Sequence, residues 1–554
     1  MRILILGGGV MQLPAVRLAK GKGWSVVVAA ANIIQEIQTL ADRCEQVDLR
    51  DRKAVTRLAR AIQRKEGLDG VFTAGTDFST TVAWIAENLE LPGIPYTSAL
   101  AATDKARMRA AFQAQKVPSP AFFTVEKAVL RSASRSRQSR GAALLPSGFS
   151  FPLVVKPVDN MGARGVRRVD DAQQLGAALE VALEQSACGK AIVEQHLEGP
   201  ELSLDAVIYD GRVSICGVAD RHICFPPYFV EMGHTMPSVL DAKLLRRAEE
   251  VFVRGIRALG ISQGAAKGDI KVTPEGPVVG EIAARLSGGY MSGWTFPFAS
   301  GVEVTDAALN IAMGLPPGDL TPRRFWVSAE RAFISIPGTI KTLEGLRQAR
   351  DLPGIEELFL RVAPSQQVDL PTNNMGKCGN LISKAPTRAE ALAAVQAAVQ
   401  SVLVRLEVND PRTDAYLQGK EQGEFTAFSP ISPDSEHRLA ALPLWLGNPE
   451  RFSRRVEDLQ VLALPGAGGE VARDWHGWTL DGAFQRVLEI TGATASGGLP
   501  DGRTPDGRTP GSFVLGRGFW KVLIKGGVQA GVYLIDSLCD PASDPKQVVR
   551  KWSV

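Results

Sequence analysis

The chain is short of the residues that build metal clusters and disulfide frameworks. It has six cysteines in 554 residues, Cys44, Cys188, Cys216, Cys224, Cys378 and Cys539, and no two form a CxxC pair. There are only five histidines besides. A zinc ribbon, a dense disulfide scaffold and a Cys/His metal site are therefore disfavoured. A surplus of one charge is also lacking: 63 Lys+Arg against 59 Asp+Glu leave +4. That is small for this length and disfavours nucleic-acid binding through a broad basic surface. Long apolar runs are missing too. The longest uncharged stretch, Leu286 to Val302, carries four glycines and a proline, which suits a loop-rich site better than a membrane span. The opening MRILILGGGV runs from an apolar segment straight into glycines, without a long h-region or a small-residue cleavage pattern. It reads as a first strand and not a signal peptide, and the default location is cytoplasmic.

What the chain does have is glycine, 55 residues of it, in an ordinary globular background of 45% apolar and 22% charged residues. At roughly 150 residues per domain the length predicts three or four domains with sizeable cores. Residues 1–103 alternate strand and helix signals: strands at Ile3–Leu6, Trp24–Ala29 and Gly70–Thr73, and helices at Leu13–Lys20 and Arg52–Lys65. That rhythm predicts a Rossmann-like parallel sheet with helices on both faces. A helix over Asp104–Gln115 ends before Pro118 and opens a second α/β segment, 104–323. Its strands are expected at Leu153–Lys156, Ala191–Glu194, Ser203–Tyr209 and Val278–Ile282, and its helices at Ala172–Glu184 and Ala242–Leu259. The run RSASRSRQSRG at 131–141, within a basic, Ser-rich insertion over 131–150, reads as a solvated surface insertion because no aromatics interleave it. Residues 324–418 combine strands at Trp326–Ile334 and Asn380–Ser383 with an Ala-rich helix, Arg388–Leu403. In 419–554, DGRTP occurs twice in tandem at 501–510, and Phe513–Leu515 and Phe519–Ile524 read as strands.

Gly7-Gly8-Gly9 after the first strand invites a dinucleotide reading. The third glycine position of that fingerprint is Gln12, however, and the second strand ends in AAAN without an acid. A tight turn is the better reading. A second series of features is more informative. Val154-Val155-Lys156-Pro157 is a strand that ends in a lysine, and the loop Met161-Gly162-Ala163-Arg164-Gly165-Val166 follows. Glycines and exposed N–H groups there can fold over phosphate oxygens. Next, Ile192-Val193-Glu194 leaves through an acidic stretch, Gln195 to Glu201, where a carboxylate could meet an adenine amino group or ribose hydroxyls. Finally, Asp269 and Glu281 lie on strand-like runs joined by a turn at Pro274–Gly276. A hairpin of that length can set the two carboxylates side by side. Hard oxygen ligands beside nucleotide phosphates suit Mg²⁺. Arg285, four residues on, adds a fixed bidentate cation for a phosphoryl group or a carboxylate.

In this order the residues resemble the ATP-grasp superfamily, with a flavour of biotin carboxylase, the carbamoyl-phosphate synthetase large chain and the L-amino-acid ligases. The resemblance covers about 1–408 and implies an ATP-grasp fold preceded by the Rossmann-like domain, followed by a lid-like α+β segment and an extra C-terminal module. It implies that Lys105 and Lys156 reach the nucleotide phosphates, and that Met161, Gly162, Ala163, Gly165 and Val166 form the mobile glycine-rich loop. Glu194 would contact adenine beside the backbone of His196 and Leu197, and Glu201 would hold the ribose. Asp269 and Glu281 would ligate Mg²⁺, and Arg285 would face the acyl phosphate or its precursor carboxylate. The implied cofactors are ATP and Mg²⁺. The implied reaction makes an acyl phosphate from a small carboxylate, passes the acyl group to an amine, and releases ADP and phosphate.

Two positions depart from the family pattern. Ala283 stands where many members have an Asn, and Asp269 stands where Glu is commoner. Both leave the metal count open. Substrate contacts are expected from Asp77, Glu231, His234, Ser287, Gly288 and Gly289, along with Arg285. Glu231 would orient an amine, and His234 is read either as a general base or as an ordinary hydrogen-bonded histidine. The expected partners are small carboxylate and amine substrates, with no nucleic acid and no membrane, and a homodimer is left open. The rival readings are an ATP-dependent carboxylase, a carboxylate–thiol ligase, a non-catalytic nucleotide-binding protein and a dinucleotide-dependent oxidoreductase. No AMKM-like biotin-attachment segment occurs.

Overall fold

Alternating side chains decide the first layer. In a strand buried on both faces, successive residues point to opposite sides and all must be apolar. β1 (Arg2–Leu6) sends Ile3 and Ile5 into one core, with the helix Leu13–Gly21, and Leu4 and Leu6 into another, with the helices Arg52–Glu66 and Ser79–Asn88. With β2 (Ser25–Ala30), β3 (Arg43–Gln46) and β4 (Gly70–Phe72) it forms a four-stranded parallel sheet, order β3-β2-β1-β4. This is the expected Rossmann-like layer. The computed structural model describes residues 1–132, 143–420, 425–496 and 513–552. Most of the basic run at 131–141 and the DGRTP repeats lie outside the described residues.

The chain divides into two compact units: Met1–Glu330 with Thr372–Met375 and Ile382–Leu392, and Arg331–Pro371 with Gly376–Leu381 and Ala393–Val554. The finer division at 103/104, 323/324 and 418/419 stands as a proposal for folding units within these. In the first unit, β5 (Phe122–Glu126), β6 (Leu153–Pro157), β7 (Arg167–Val169) and β8 (Lys190–Gln195) form an antiparallel sheet, order β5-β8-β6-β7. The helix Ala172–Gln185 packs on it through Leu175, Leu179 and Leu183. A second antiparallel sheet contains β9 (Glu201–Tyr209), β10 (Arg212–Cys224), β11 (Val230–Met236), β12 (Gly264–Thr273), β13 (Gly276–Ala283) and β14 (Val327–Phe333), in the order β13-β12-β9-β10-β11-β14. One face of this sheet is apolar. Leu202, Leu204, Ala206 and Ile208 of β9 and Ala266 and Ile270 of β12 pack against Phe252 and Ile256 of the helix Ala242–Ala258. The alternate residues make the opposite face, which is polar at Glu201, Ser203, Asp205, Lys267, Asp269 and Lys271 and apolar at Val207 and Ala265, which join another core.

In the second unit, Gly338–Glu344 pairs with Gln367–Val368 and Leu403–Leu406, and a four-stranded sheet runs in the order Trp445–Leu446, Phe513–Leu515, Leu459–Leu462, Thr494–Ser496. Two sequence expectations are corrected here. Phe519–Ile524 is not a strand; it is the first part of a helix, Arg517–Cys539, kinked at Gly527 (φ 67°). A short apolar run fits either state, and only the continuation through Val528–Leu538 makes the helix. That helix is also long and apolar enough to cross a membrane by length and composition, contrary to the reading that no segment is. In this fold 72% of its apolar window is buried. Gln529 within it donates to Ser335 Oγ and the Val404 carbonyl, each at 2.7 Å, and accepts from the Ile336 N–H at 3.0 Å.

Candidate functional site

The polar face of the larger sheet is where the candidate residues meet. Strand register sets them in rows. Asp269 lies directly opposite Glu281 across the β12–β13 hairpin; the register set at the turn would give it Gly280, and a bulge-like irregularity between Asp269 and Ile270 moves it to Glu281. On the other side of β12, Asp269 faces Ser203, Lys271 faces Glu201, and Lys267 faces Asp205. Across β9, Arg221 of β10 faces Glu201.

Such a density of carboxylates needs cations, and the sheet supplies them. Arg221 joins three acids: it pairs with Glu201, with Glu231 Oε2 at 2.7 Å and with Asp269 Oδ1 at 3.0 Å. Burial works against its charge, but the carboxylates of Asp269, Glu201 and Glu231 more than offset this and raise its pKa. Lys271 Nζ reaches Glu201 Oε2 at 3.2 Å, and Lys267 Nζ pairs with Asp269 Oδ1. For Glu201, burial opposes ionisation, and Arg221 and Lys271 override it and hold the carboxyl below its ordinary range. Glu281 is the extreme case. Burial pushes it up, yet Lys105, Lys267, Lys156 and Arg285 hold it down at about 2, so it stays ionised in the absence of any ligand.

Lys105 opens its helix behind the N-cap Asp104, whose carboxylate accepts from the N–H groups of Ala106 and Arg107. Its Nζ donates to the Asn160 carbonyl at 2.7 Å and lies 3.8 Å from Glu281 Oε2. Lys156 leaves β6 toward Glu194 Oε2 at 2.6 Å, and Arg109 Nε approaches the other oxygen of Glu194 at 2.8 Å. Glu194, expected beside adenine, is engaged within the protein. Glu194 is 2% exposed and its carboxylate is clamped between two cations, so it anchors Lys156. The His196 N–H is likewise engaged, donating to the Pro152 carbonyl at 3.2 Å. Leu197 follows β8 in the same connection to β9, and no contact singles it out.

Between β6 and β7, Met161–Val166 makes a tight loop. Gly162, Ala163 and Gly165 all take left-handed φ (66°, 60° and 71°), which glycine tolerates and alanine resists. Arg164 in this loop pairs with Asp77 Oδ2 at 2.6 Å. Asp77 lies just past the end of β4, and Ala74 bridges to Leu286 there. Arg285 donates from Nε to the Thr76 carbonyl at 3.1 Å, so it is held at the same edge. Gly75 and Gly288 cross so closely that a Cβ on Gly75 would lie 2.6 Å from Gly288 Cα. The first glycine turn has a different use: Gln12, 1% exposed, bonds both the N–H and the carbonyl of Ala74, so the place of the third dinucleotide glycine is filled.

Beyond Arg285, Ser287 N–H and Ser292 Oγ donate to the buried Asp205 at 3.1 and 2.6 Å. Burial raises Asp205 to about 6 despite these bonds. Gly289 lies against Glu231 and His234; a Cβ there would be 2.7 Å from Glu231 Oε1. His234 is enclosed between Glu330 Oε2 (3.3 Å from Nδ1) and Glu231 Oε2 (3.5 Å from Nε2). Asn374, far along the chain, accepts from the Glu231 N–H at 2.8 Å and donates its own N–H to the Gly162 carbonyl at 3.0 Å. Sequence reasoning missed Arg109, Asp205, Arg221, Lys267 and Asn374. An Arg in the run Val213–Cys224 carries no signal until strand pairing shows which acids stand beside it.

Among the described residues no group of three or more His, Cys, Asp or Glu side chains is arranged to hold a metal ion alone. The pair Asp269 and Glu281, two hard oxygen donors facing each other with Glu281 kept ionised, fits one divalent cation whose remaining ligands come from phosphate and water.

A model of the ATP-grasp domain matches residues 149–293, which contain Lys156, the glycine-rich loop, Asp269, Glu281 and Arg285. The chain therefore carries an ATP-grasp domain. Residues 332–407 match the L-amino acid ligase C-terminal domain 2. Among curated relatives, the uncharacterized protein y4rH of Sinorhizobium fredii is 28% identical over 60% of this chain and 67% of its own length. Carnosine synthase 1 of Gallus gallus is 28% identical over 53% of this chain, and a D-alanine–D-alanine ligase of Gloeobacter violaceus is 29% identical over 34%. The aligned regions are 34% and 62% of those two proteins, so this chain spans only part of them. Among solved structures, L-amino acid ligase from Bacillus licheniformis aligns with a TM-score of 0.62 at 20% identity, over 73% of this chain and 98% of that one. Biotin carboxylase from Campylobacter jejuni aligns at 0.55 and 17%, over 73% and 91%. These two show the shared ATP-grasp fold.

Proposed function

We propose that this chain is a Mg-ATP-dependent carboxylate–amine ligase that works through an acyl phosphate. The observation that carries the reading is the facing pair Asp269 and Glu281 on a sheet face that also bears Lys267, with Lys105 and Lys156 alongside and Arg285 four residues beyond Glu281. A carboxylate is a poor acyl donor. One of its oxygens attacks the γ-phosphorus of ATP, the bond to the β–γ bridging oxygen breaks, and ADP leaves. The amine nitrogen then attacks the acyl carbon, the C–O bond to phosphate breaks, and phosphate departs. Catalysis of the first step is positioning and charge neutralisation, the chemistry that fixed lysine and arginine side chains supply.

In this reading Lys105 and Lys156 bind the nucleotide phosphates, and Met161, Gly162, Ala163, Gly165 and Val166 close over them through backbone N–H groups. Glu201 and the connection through His196 and Leu197 flank the nucleoside. Asp269 and Glu281 hold Mg²⁺, which when bound neutralises phosphate charge. Arg285 orients the carboxylate and its phosphorylated form. Asp77, Ser287, Gly288 and Gly289 line the acid, and Glu231, supported by His234, attracts the ammonium group of the acceptor. The match of residues 332–407 to the L-amino acid ligase C-terminal domain 2 supports an amino acid as one partner. The test is nucleotide product analysis with Mg²⁺, ATP and pooled carboxylates with and without amines, beside Glu281→Gln. ADP and phosphate formed only with both partners, and lost in the variant, are the expected result; AMP with pyrophosphate would overturn the mechanism.

A further inference from the structure

The two departures from the family pattern, Asp269 and Ala283, share a neighbour. Lys267 lies on β12 two residues from Asp269, on the same face, and its register partner on β13 is Ala283. Ala283 ends at Cβ, so it offers Lys267 no polar partner from β13. On its other flank the register partner is Asp205, a buried acid. Within this row the Lys267 ammonium turns to Asp269 and pairs with Oδ1, the oxygen that Arg221 approaches at 3.0 Å. One oxygen of the Asp269 carboxylate is thus engaged by two cations before any ligand arrives. Glu281, directly opposite, has Lys105 only at 3.8 Å.

We infer that Lys267 is a fixed cation built into the metal-binding face, so that this site takes a single divalent ion, with Glu281 as its principal protein ligand. The inference rests on the ATP-grasp reading above. Its physical basis is charge. A triphosphate between Lys105, Lys156 and Arg285 needs its oxygens neutralised, and an ammonium held by Asp269 puts positive charge there permanently. A second divalent ion at the same carboxylate would sit against that ammonium and be repelled. The ammonium also needs no dissociable ion to fill its place, so the charge at Asp269 is independent of metal concentration. Lys267 acts through position and charge and forms no bond with the reacting atoms, which makes it a positioning residue.

The test counts metal ions. The full chain is titrated with Mn²⁺ in the presence of the non-hydrolysable analogue AMP-PNP, and bound and free Mn²⁺ are separated by electron paramagnetic resonance. About one Mn²⁺ per chain is expected for the wild type and for Lys267→Arg, which keeps the charge. About two per chain are expected for Lys267→Met, which keeps the bulk and frees Asp269. Two ions in the wild type would overturn the inference, as would an unchanged count in a Lys267→Met protein that still binds AMP-PNP. If Lys267→Met does not fold, the wild-type count decides alone. Failure of the wild type to bind AMP-PNP would overturn the functional reading itself, and this inference with it.

Discussion

Replacing Arg221 with methionine should expose how the site is held together. The guanidinium is a half-turned fork on β10 that serves Glu201, Glu231 and Asp269 at once, and its side chain is only 10% exposed. Methionine fills similar volume and removes the charge. Removing one partner of a buried ionic network costs about 3–5 kcal/mol, because the groups left behind stay buried and uncompensated. Two of the three acids retain another cation, Glu201 with Lys271 and Asp269 with Lys267, while Glu231 retains His234. That puts the expected loss at the lower end, about 3 kcal/mol. At about 1.4 kcal/mol per decade this is a roughly hundredfold fall in the folded-to-unfolded ratio. Urea unfolding followed by circular dichroism measures it as a lower midpoint, with the first transition assigned to the unit that contains β10 by hydrogen exchange. Arg221→Lys keeps a charge but cannot fork to three carboxylates, so it should fall between wild type and Arg221→Met. A midpoint for Arg221→Met unchanged within error would refute the reasoning, and so would a lysine variant as damaged as the methionine one.

Three further outcomes follow from the same geometry. Gly289→Ala would bring a Cβ to 2.7 Å from Glu231 Oε1 and 2.8 Å from His234 Cε1; steady-state kinetics should show a raised KM for the amine with the KM for ATP little changed, and the reverse split would misplace the acceptor. Asn374→Ala removes the acceptor of the Glu231 N–H but keeps the backbone bond to Gly162. It should cost about 1 kcal/mol in denaturation and raise the amine KM, whereas an effect confined to ATP would contradict the link to Glu231. Asp205 is raised to about 6 from 3.8, so its folded form binds a proton more readily than its unfolded form. Its contribution therefore becomes more favourable as pH falls from above 6 toward 3.8. Asp205→Asn should flatten that part of a thermal-stability profile, and an unaltered slope would show that Asp205 does not titrate there.

The hairpin of β12 and β13 was legible because a turn at Pro274–Gly276 joins two strand-like runs, each carrying an acid. The turn alone does not set their pairing: counted from Thr273 opposite Gly276, Asp269 would face Gly280, and the irregularity between Asp269 and Ile270 brings it opposite Glu281. The helix expected over Asp104–Gln115 was legible too, and Asp104 caps it as Lys105–Ala114. The ion pairs of Glu194 were not legible because its partners, Arg109 and Lys156, come from a helix and a strand far from it in sequence. Arg221 and Asn374 were missed for the same physical reason. Their roles exist only through long-range pairing, and an isolated polar residue in a strand or loop reads as solvated. Phe519–Ile524 failed differently: the apolar run satisfied both templates, and the buried helix Arg517–Cys539 won through its length.

The central claim is that a carboxylate oxygen of the substrate becomes part of the phosphate released. It is tested by turning over the enzyme with a carboxylate labelled with ¹⁸O, chosen as one that releases ADP in the presence of an amine, and analysing the products by mass spectrometry. The account predicts one ¹⁸O in each phosphate and equal amounts of ADP and amide. Unlabelled phosphate, or label recovered in AMP with pyrophosphate, would contradict it.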